Sequence, residues 1–135
     1  MQTRSCARRI ADRLSKALAE DRRILAAYLH GSVVNGTDRA DSDVDCALLL
    51  VPDAVMSAKD LMMLTGDLSG RLGLHLDLGI MSHRNLVYFT RAVDQGMRIF
   101  CRDAQLTDAL VGRAFALYAQ LRQDRQEVER AYHVA

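Results

Sequence analysis

The chain has 135 residues, of which 50% are apolar and 26% charged, a balance that supports one packed domain and argues against intrinsic disorder. Eighteen Lys and Arg against 17 Asp and Glu leave a net charge of +1, which speaks against a protein whose main work is neutralising a nucleic-acid backbone. Cys6, Cys46 and Cys101 are odd in number, far apart and without a Cys-x-x-Cys pair, so neither a disulfide framework nor a zinc cluster is expected and a reducing cytoplasm is the natural compartment.

From about Ser5 to Asp21, Ile10, Leu14 and Leu18 recur at helical spacing between Arg and Asp residues, predicting an amphipathic helix. Its basic residues Arg8, Arg9 and Arg13, with Arg22 and Arg23, are expected to be solvated and paired with Asp12, Glu20 and Asp21. No signal peptide is read at the start, and no apolar run is long enough to span a bilayer. Ile24 to Leu29 predicts a strand. Gly31 to Ser42 is irregular, and Val44 to Val51 is strand-like until Pro52 ends it.

Leu61, Leu64, Leu68 and Leu72 form a second helical stripe, with Ser57 and Asp60 spaced as a capping box; Met62, Met63 and Cys46 are expected in the core. Leu74 to Ile80 predicts a strand. Leu86, Phe89 and Val93 mark a third helix stopped by Gly96 at its C′ position, and Met97 to Cys101 a last short strand. From Asp103 a long helix follows with Leu110, Ala114, Leu117 and Leu121 on one face, then a polar tail from Arg122 to Arg130 and Tyr132 that either docks a partner or frays in solvent. Strands alternating with helices predict an α/β or α+β sheet with helices on one side. The whole, 1–135, is expected to be a single domain, with 103–135 as a candidate docking element.

The chemistry concentrates between Gly31 and Asp45. Gly31-Ser32 follows a strand, and ten residues later Asp43-Val44-Asp45 opens the next one. Residues i and i+2 of a strand share a face, so Asp43 and Asp45 are expected to point together, and two repelling carboxylates ask for a cation. Mg²⁺ takes such hard oxygen ligands together with substrate phosphates. Gly31 permits close backbone approach and Ser32 adds a hydroxyl, which together suit a phosphate. Asp77, inside the apolar run Leu74–Ile80, would complete a three-carboxylate site if its strand neighbours that of Asp45, and buried without a partner it would be costly. Asp38 and Asp41 read as solvated loop acids. His30 either approaches the nucleotide or packs against its neighbours, the latter being favoured; His75 and His83 show no ligand spacing.

Gly31-Ser32-x10-Asp43-x-Asp45 with the later Asp77 resembles the minimal nucleotidyltransferases of the DNA polymerase β superfamily, closest to the MntA-type adenylyltransferase antitoxins of HEPN/MNT toxin–antitoxin pairs. The likeness covers roughly Ile24 to Asp103. It implies a nucleotidyltransferase fold, a mixed sheet with helices packed against it. It further implies that Asp43, Asp45 and Asp77 are the catalytic and metal-binding carboxylates for Mg²⁺, two ions in all, and that Gly31 and Ser32 bind the triphosphate of ATP. The family transfers AMP to a hydroxyl and releases pyrophosphate; in the antitoxin branch the acceptor is a tyrosine of the HEPN RNase, which the modification silences. A hetero-oligomer with that toxin, no nucleic-acid template, no membrane and a cytoplasmic location follow from the same resemblance. Many members read Gly-Ser-x-Ala-Arg-Gly where this chain has Gly31-Ser32-Val33-Val34-Asn35-Gly36, so the Arg is replaced by Asn35, with Arg39 the nearby substitute. Two other readings are a sterically acting binding module with an idle site, and a small-molecule nucleotidyltransferase working with a separate helical subunit.

Overall fold

The computed structural model describes residues 2–31 and 43–134. In chain order these form α1 (Gln2–Leu18), β1 (Ile24–His30), β2 (Val44–Leu50), α2 (Ala58–Leu72), β3 (Leu76–Ile80), α3 (Leu86–Gln95), β4 (Met97–Cys101) and α4 (Ala104–Val134). The strands make one sheet in the order β3-β2-β1-β4. β1 is antiparallel to both β2 and β4, whereas β2 and β3 run parallel, so the sheet is mixed.

β1 is buried at every position but His30, and β2 is buried at all but its residues Asp45 and Leu50. Strands apolar on both faces need cover on both faces. Helices accordingly lie on either side of the sheet, and the expectation of helices on one side is corrected. On one face Leu14 and Leu18 of α1 and Leu68 of α2 pack on Leu29, Leu48 and Leu78. On the other, Phe89 and Ala92 of α3 and Ala114 of α4 cover Ala26, Tyr28, Ala47 and Leu49.

The capping box at α2 is formed: the Asp60 backbone N–H donates to Ser57 Oγ at 3.0 Å and the Ser57 N–H donates to Asp60 Oδ2 at 3.2 Å. Ser57→Ala should lower stability by about 1 kcal/mol, read as a shift of the urea midpoint at constant slope. α2 ends at Gly73, left-handed at φ 65°, and its capping N–H bonds back to Ser69. That turn delays β3, which begins at Leu76 rather than Leu74.

Gly96 does follow α3, but in extended conformation at φ −95°, not in the left-handed C′ geometry expected. Its need for glycine is spatial: a Cβ there would collide with the backbone carbonyl oxygens of Ala92 and Leu29. Met62 and Met63 are 75% and 64% exposed, because they lie off the stripe of Leu61, Leu64, Leu68 and Leu72; the expected core role is corrected. Cys46 is buried as expected.

At the opposite end of the strands from His30, Arg102 donates to the carbonyls of Ile24, Ala19 and Asp21 and ties the end of β4 to the α1–β1 turn. Asp21 pairs with Arg23 at 2.8 Å, and that hydrogen-bonded guanidinium holds the Asp21 carboxyl below its ordinary range. Glu20 pairs with Arg71 of α2 instead of a near neighbour in sequence. α4 rests on the body through Thr107 and Ala114, while Leu117 and Leu121 are 38% and 42% exposed, so the predicted stripe is only half covered. Among the described residues no helix is long and apolar enough to cross a membrane.

Candidate active site

Two ladders set the site. In the antiparallel pair His30 of β1 stands opposite Asp45 of β2, and in the parallel pair Asp45 stands opposite Asp77 of β3. Cys46 and Leu78 take the opposite face, packed with α1 and α2. Strand alternation therefore turns His30, Asp45 and Asp77 to the α3 face as one row across three strands. Behind them is a cavity of about 270 Å³ lined by His30, Asp45, Asp77, Gly79, Ile80, Asn85 and Tyr88.

Burial pushes the Asp45 carboxyl above its ordinary value; the His30 imidazole opposes this, and the charges of Asp77 and Asp43 add to the rise. Asp43 lies one residue before β2 and is exposed, so it borders the row from the strand mouth. Asp77 is also exposed, which corrects the expectation of a buried acid in need of a partner. Among the described residues no Lys or Arg forms an ion pair with Asp43, Asp45 or Asp77.

Gly31 follows β1 with φ +80°, and a Cβ on it would run into Asp45 Oδ2. The glycine thus serves two ends, a left-handed turn and room for the carboxylate. Gly31→Ala should lower stability by about 1–2 kcal/mol through the left-handed strain and the collision with Asp45, seen as a lower melting temperature. Ser32 lies outside the described residues, as do Asn35, Asp38, Arg39 and Asp41.

The inner wall was not evident from the sequence. Gly79 follows Asp77 by two residues on the same face, and a Cβ there would collide with the Tyr88 hydroxyl. The missing side chain admits the Tyr88 ring, which meets the His30 ring edge-on at 5.7 Å, with the hydroxyl 3.5 Å from His30 Nε2. Burial raises the Tyr88 hydroxyl to about 12, so it stays a neutral donor. Asn85 caps α3 by accepting from the Tyr88 N–H and so aims that first turn at the cavity. Asp77-x-Gly79 was the one available signal, two same-face positions of which the second is empty. His30 does pack, against Tyr88, and lines the cavity as well.

No closed cluster of three His, Cys, Asp or Glu side chains able to hold a metal exists among the described residues. Mg²⁺ does not require one, since it is commonly held by one or two carboxylates with water and substrate phosphates supplying the rest. Hard oxygens on adjacent strands, with no cationic side chain paired to them among the described residues, suit that ion.

A mixed sheet with carboxylates in register on adjacent strands, beside a left-handed glycine at the end of a third, is the framework of a nucleotidyltransferase. A family model for the polymerase β nucleotidyltransferase domain matches residues 12–105, and the chain belongs to that family. Solved structures share the fold over nearly its whole length. A toxin–antitoxin complex with AMP-PNP is 22% identical with a TM-score of 0.75, covering 91% of this chain and 98% of that one. The toxin–antitoxin MntA–HepT is 21% identical with a TM-score of 0.68, covering 91% and 96%. A tri-AMPylated Shewanella oneidensis HEPN toxin in complex with MNT antitoxin gives 20% identity and a TM-score of 0.70, covering 94% and 98%. No curated protein matches the chain.

Proposed function

We propose that this chain is an Mg²⁺-dependent adenylyltransferase that moves AMP from ATP onto a hydroxyl, a tyrosine, of a HEPN-domain RNase and thereby acts as its antitoxin. The observation that carries the reading is the in-register pair Asp45 and Asp77 beside Gly31. Support for nucleotide and partner comes from the structural neighbours, one a toxin–antitoxin complex with AMP-PNP and another a tri-AMPylated HEPN toxin with its MNT antitoxin.

Asp45 and Asp77, with Asp43 at the strand mouth beside them, would hold the metal together with water and triphosphate oxygens, and the metal would supply charge neutralisation and orientation of the triphosphate. Gly31, at the end of β1, would give the phosphates close backbone approach, and Ser32, next in sequence, would add its hydroxyl. On this reading Asp77, at the outer strand of the row, accepts the proton of the attacking hydroxyl. The acceptor oxygen forms its bond to the α-phosphorus as the bond from that phosphorus to the β-phosphate oxygen breaks, and pyrophosphate leaves with that electron pair. Tyr88 and Gly79 shape the wall against which the acceptor side chain lies.

The test is incubation with a candidate cognate HEPN-domain toxin, ATP and Mg²⁺, followed by intact mass spectrometry of both chains. One or more AMP additions on the toxin, absent with Asp43→Asn, is the expected result. A stable complex with no added mass would overturn the transferase reading in favour of a sterically acting module.

A further inference from the structure

We propose that the groove between α3 and the outer half of α4 is the docking site of the hydroxyl-bearing partner protein, and that it seats one amphipathic helix of that partner with an acidic flank. This rests on the transferase reading, because the groove adjoins the cavity where the acceptor is modified.

α4 runs well beyond the body. From residue 119 to 133 every position is exposed, and a helical stretch of that length without tertiary support is marginal in water. Its apolar line continues past the covered part, with Leu117, Leu121 and Val128 at 38%, 42% and 55% exposure following Leu110 and Ala114 at helical spacing. Across from it stands Val87 of α3, itself 48% exposed. Between them lies a groove of about 250 Å³ lined by Val87, Tyr118, Leu121, Arg122, Arg125, Gln126 and Glu129.

Continuity with the acceptor cavity identifies the occupant. Val87 lines the groove, while Asn85 and Tyr88 of the same helical turn line the cavity holding Asp45 and Asp77. Val87 and Tyr88 are consecutive, about 1.5 Å apart along the helix axis and turned about 100° from each other, so the two openings flank one turn of α3 and a single partner surface can reach both. Charge narrows the partner further. Two arginines, Arg122 and Arg125, face one glutamate, Glu129, and the Arg122 guanidinium already lies 5.9 Å over the Tyr118 ring. The excess positive charge selects an acidic residue beside the apolar ridge that enters between Val87 and Leu121.

The experiment titrates the full chain, without nucleotide, with the HEPN-domain toxin that serves as acceptor in the transfer assay above. Leu121→Glu and the double change Arg122→Glu with Arg125→Glu should each weaken binding at least tenfold without altering the circular-dichroism melt, since all three side chains are exposed. With ATP and Mg²⁺ the KM for the protein acceptor should rise by the same factor while kcat stays within twofold. Unchanged Kd and KM in both variants, or a loss confined to kcat, would overturn the assignment. So would absence of binding by the wild-type chain. Sedimentation separates a further case: if Leu121→Glu converts a dimer of this chain to monomer and leaves the partner's affinity intact, the groove belongs to a second copy and the proposal is wrong. If the wild type binds through the groove yet transfers no AMP, docking stands and the transferase reading falls.

Discussion

Asp45→Asn is expected to reduce AMP transfer by about 10³-fold or more and, in the absence of metal, to make the chain more stable. The two effects share one cause. Burial, with Asp77 and Asp43 close by, disfavours the Asp45 carboxylate in the folded state, so its folded pKa lies above the unfolded one. An acid shifted in that direction penalises the fold at neutral pH, and the penalty fades as pH falls through the folded pKa and the group takes up a proton. Thermal melts in EDTA should therefore show the variant ahead near pH 7, by a modest margin because the site is partly open to water. The gap should close toward pH 4. A variant less stable than wild type at neutral pH would mean that Asp45 serves the fold, and the assignment of its repulsion to metal binding would fail.

Phe89→Ala should be the most damaging single change to stability, by about 3–5 kcal/mol. Phe89 is fully buried at the centre of the second core face, and its ring lies 5.8 Å from that of His83. Its loss opens a void beneath the helix that carries Tyr88 and Val87 to the cavity and the groove. Val87→Ala, two residues earlier and half exposed, should change stability by no more than about 0.5 kcal/mol. Chemical denaturation of the two variants side by side checks the contrast. Comparable losses would place the weight of α3 on its outer face, against the packing described.

Each helix and strand expected from the sequence occurs in the structure, with boundaries shifted by a few residues. Periodicity located α2 because Leu61, Leu64, Leu68 and Leu72 keep one face, and the Ser57–Asp60 pair marked its start. It misjudged Met62 and Met63, since hydrophobicity alone does not say which way a helical residue points. The extent of cover on α4 was illegible for a related reason: Leu117 and Leu121 continue the spacing of Leu110 and Ala114, but α3 is too short to meet them all. At the site, Asp45 was legible from its place at the head of an apolar strand. Its pairing with Asp77 was not, because a parallel crossover can set β3 on either side of β2 and no local pattern records strand order; only the family resemblance supplied it. Tyr88 was beyond reach, for it meets Gly79 and His30 only after α3 folds back across the sheet.

The row His30, Asp45, Asp77 also makes the chemistry a test of correct assembly. It is written across two ladders of opposite sense, and both share β2. A slip of β2 by one residue would turn Asp45 into the leucine layer under α1 and α2 and bring Cys46, whose thiol burial holds up near 12, to the cavity instead. Such a chain would bury a carboxylate among leucines and force Leu48 into the tight layer that Ala47 now fills beneath α3. Misaligned molecules are thus both unstable and devoid of an acidic pair, and no partially active population accumulates. Strand alignment acts here as quality control, so that any copy able to hold its shape carries its carboxylates on the working face.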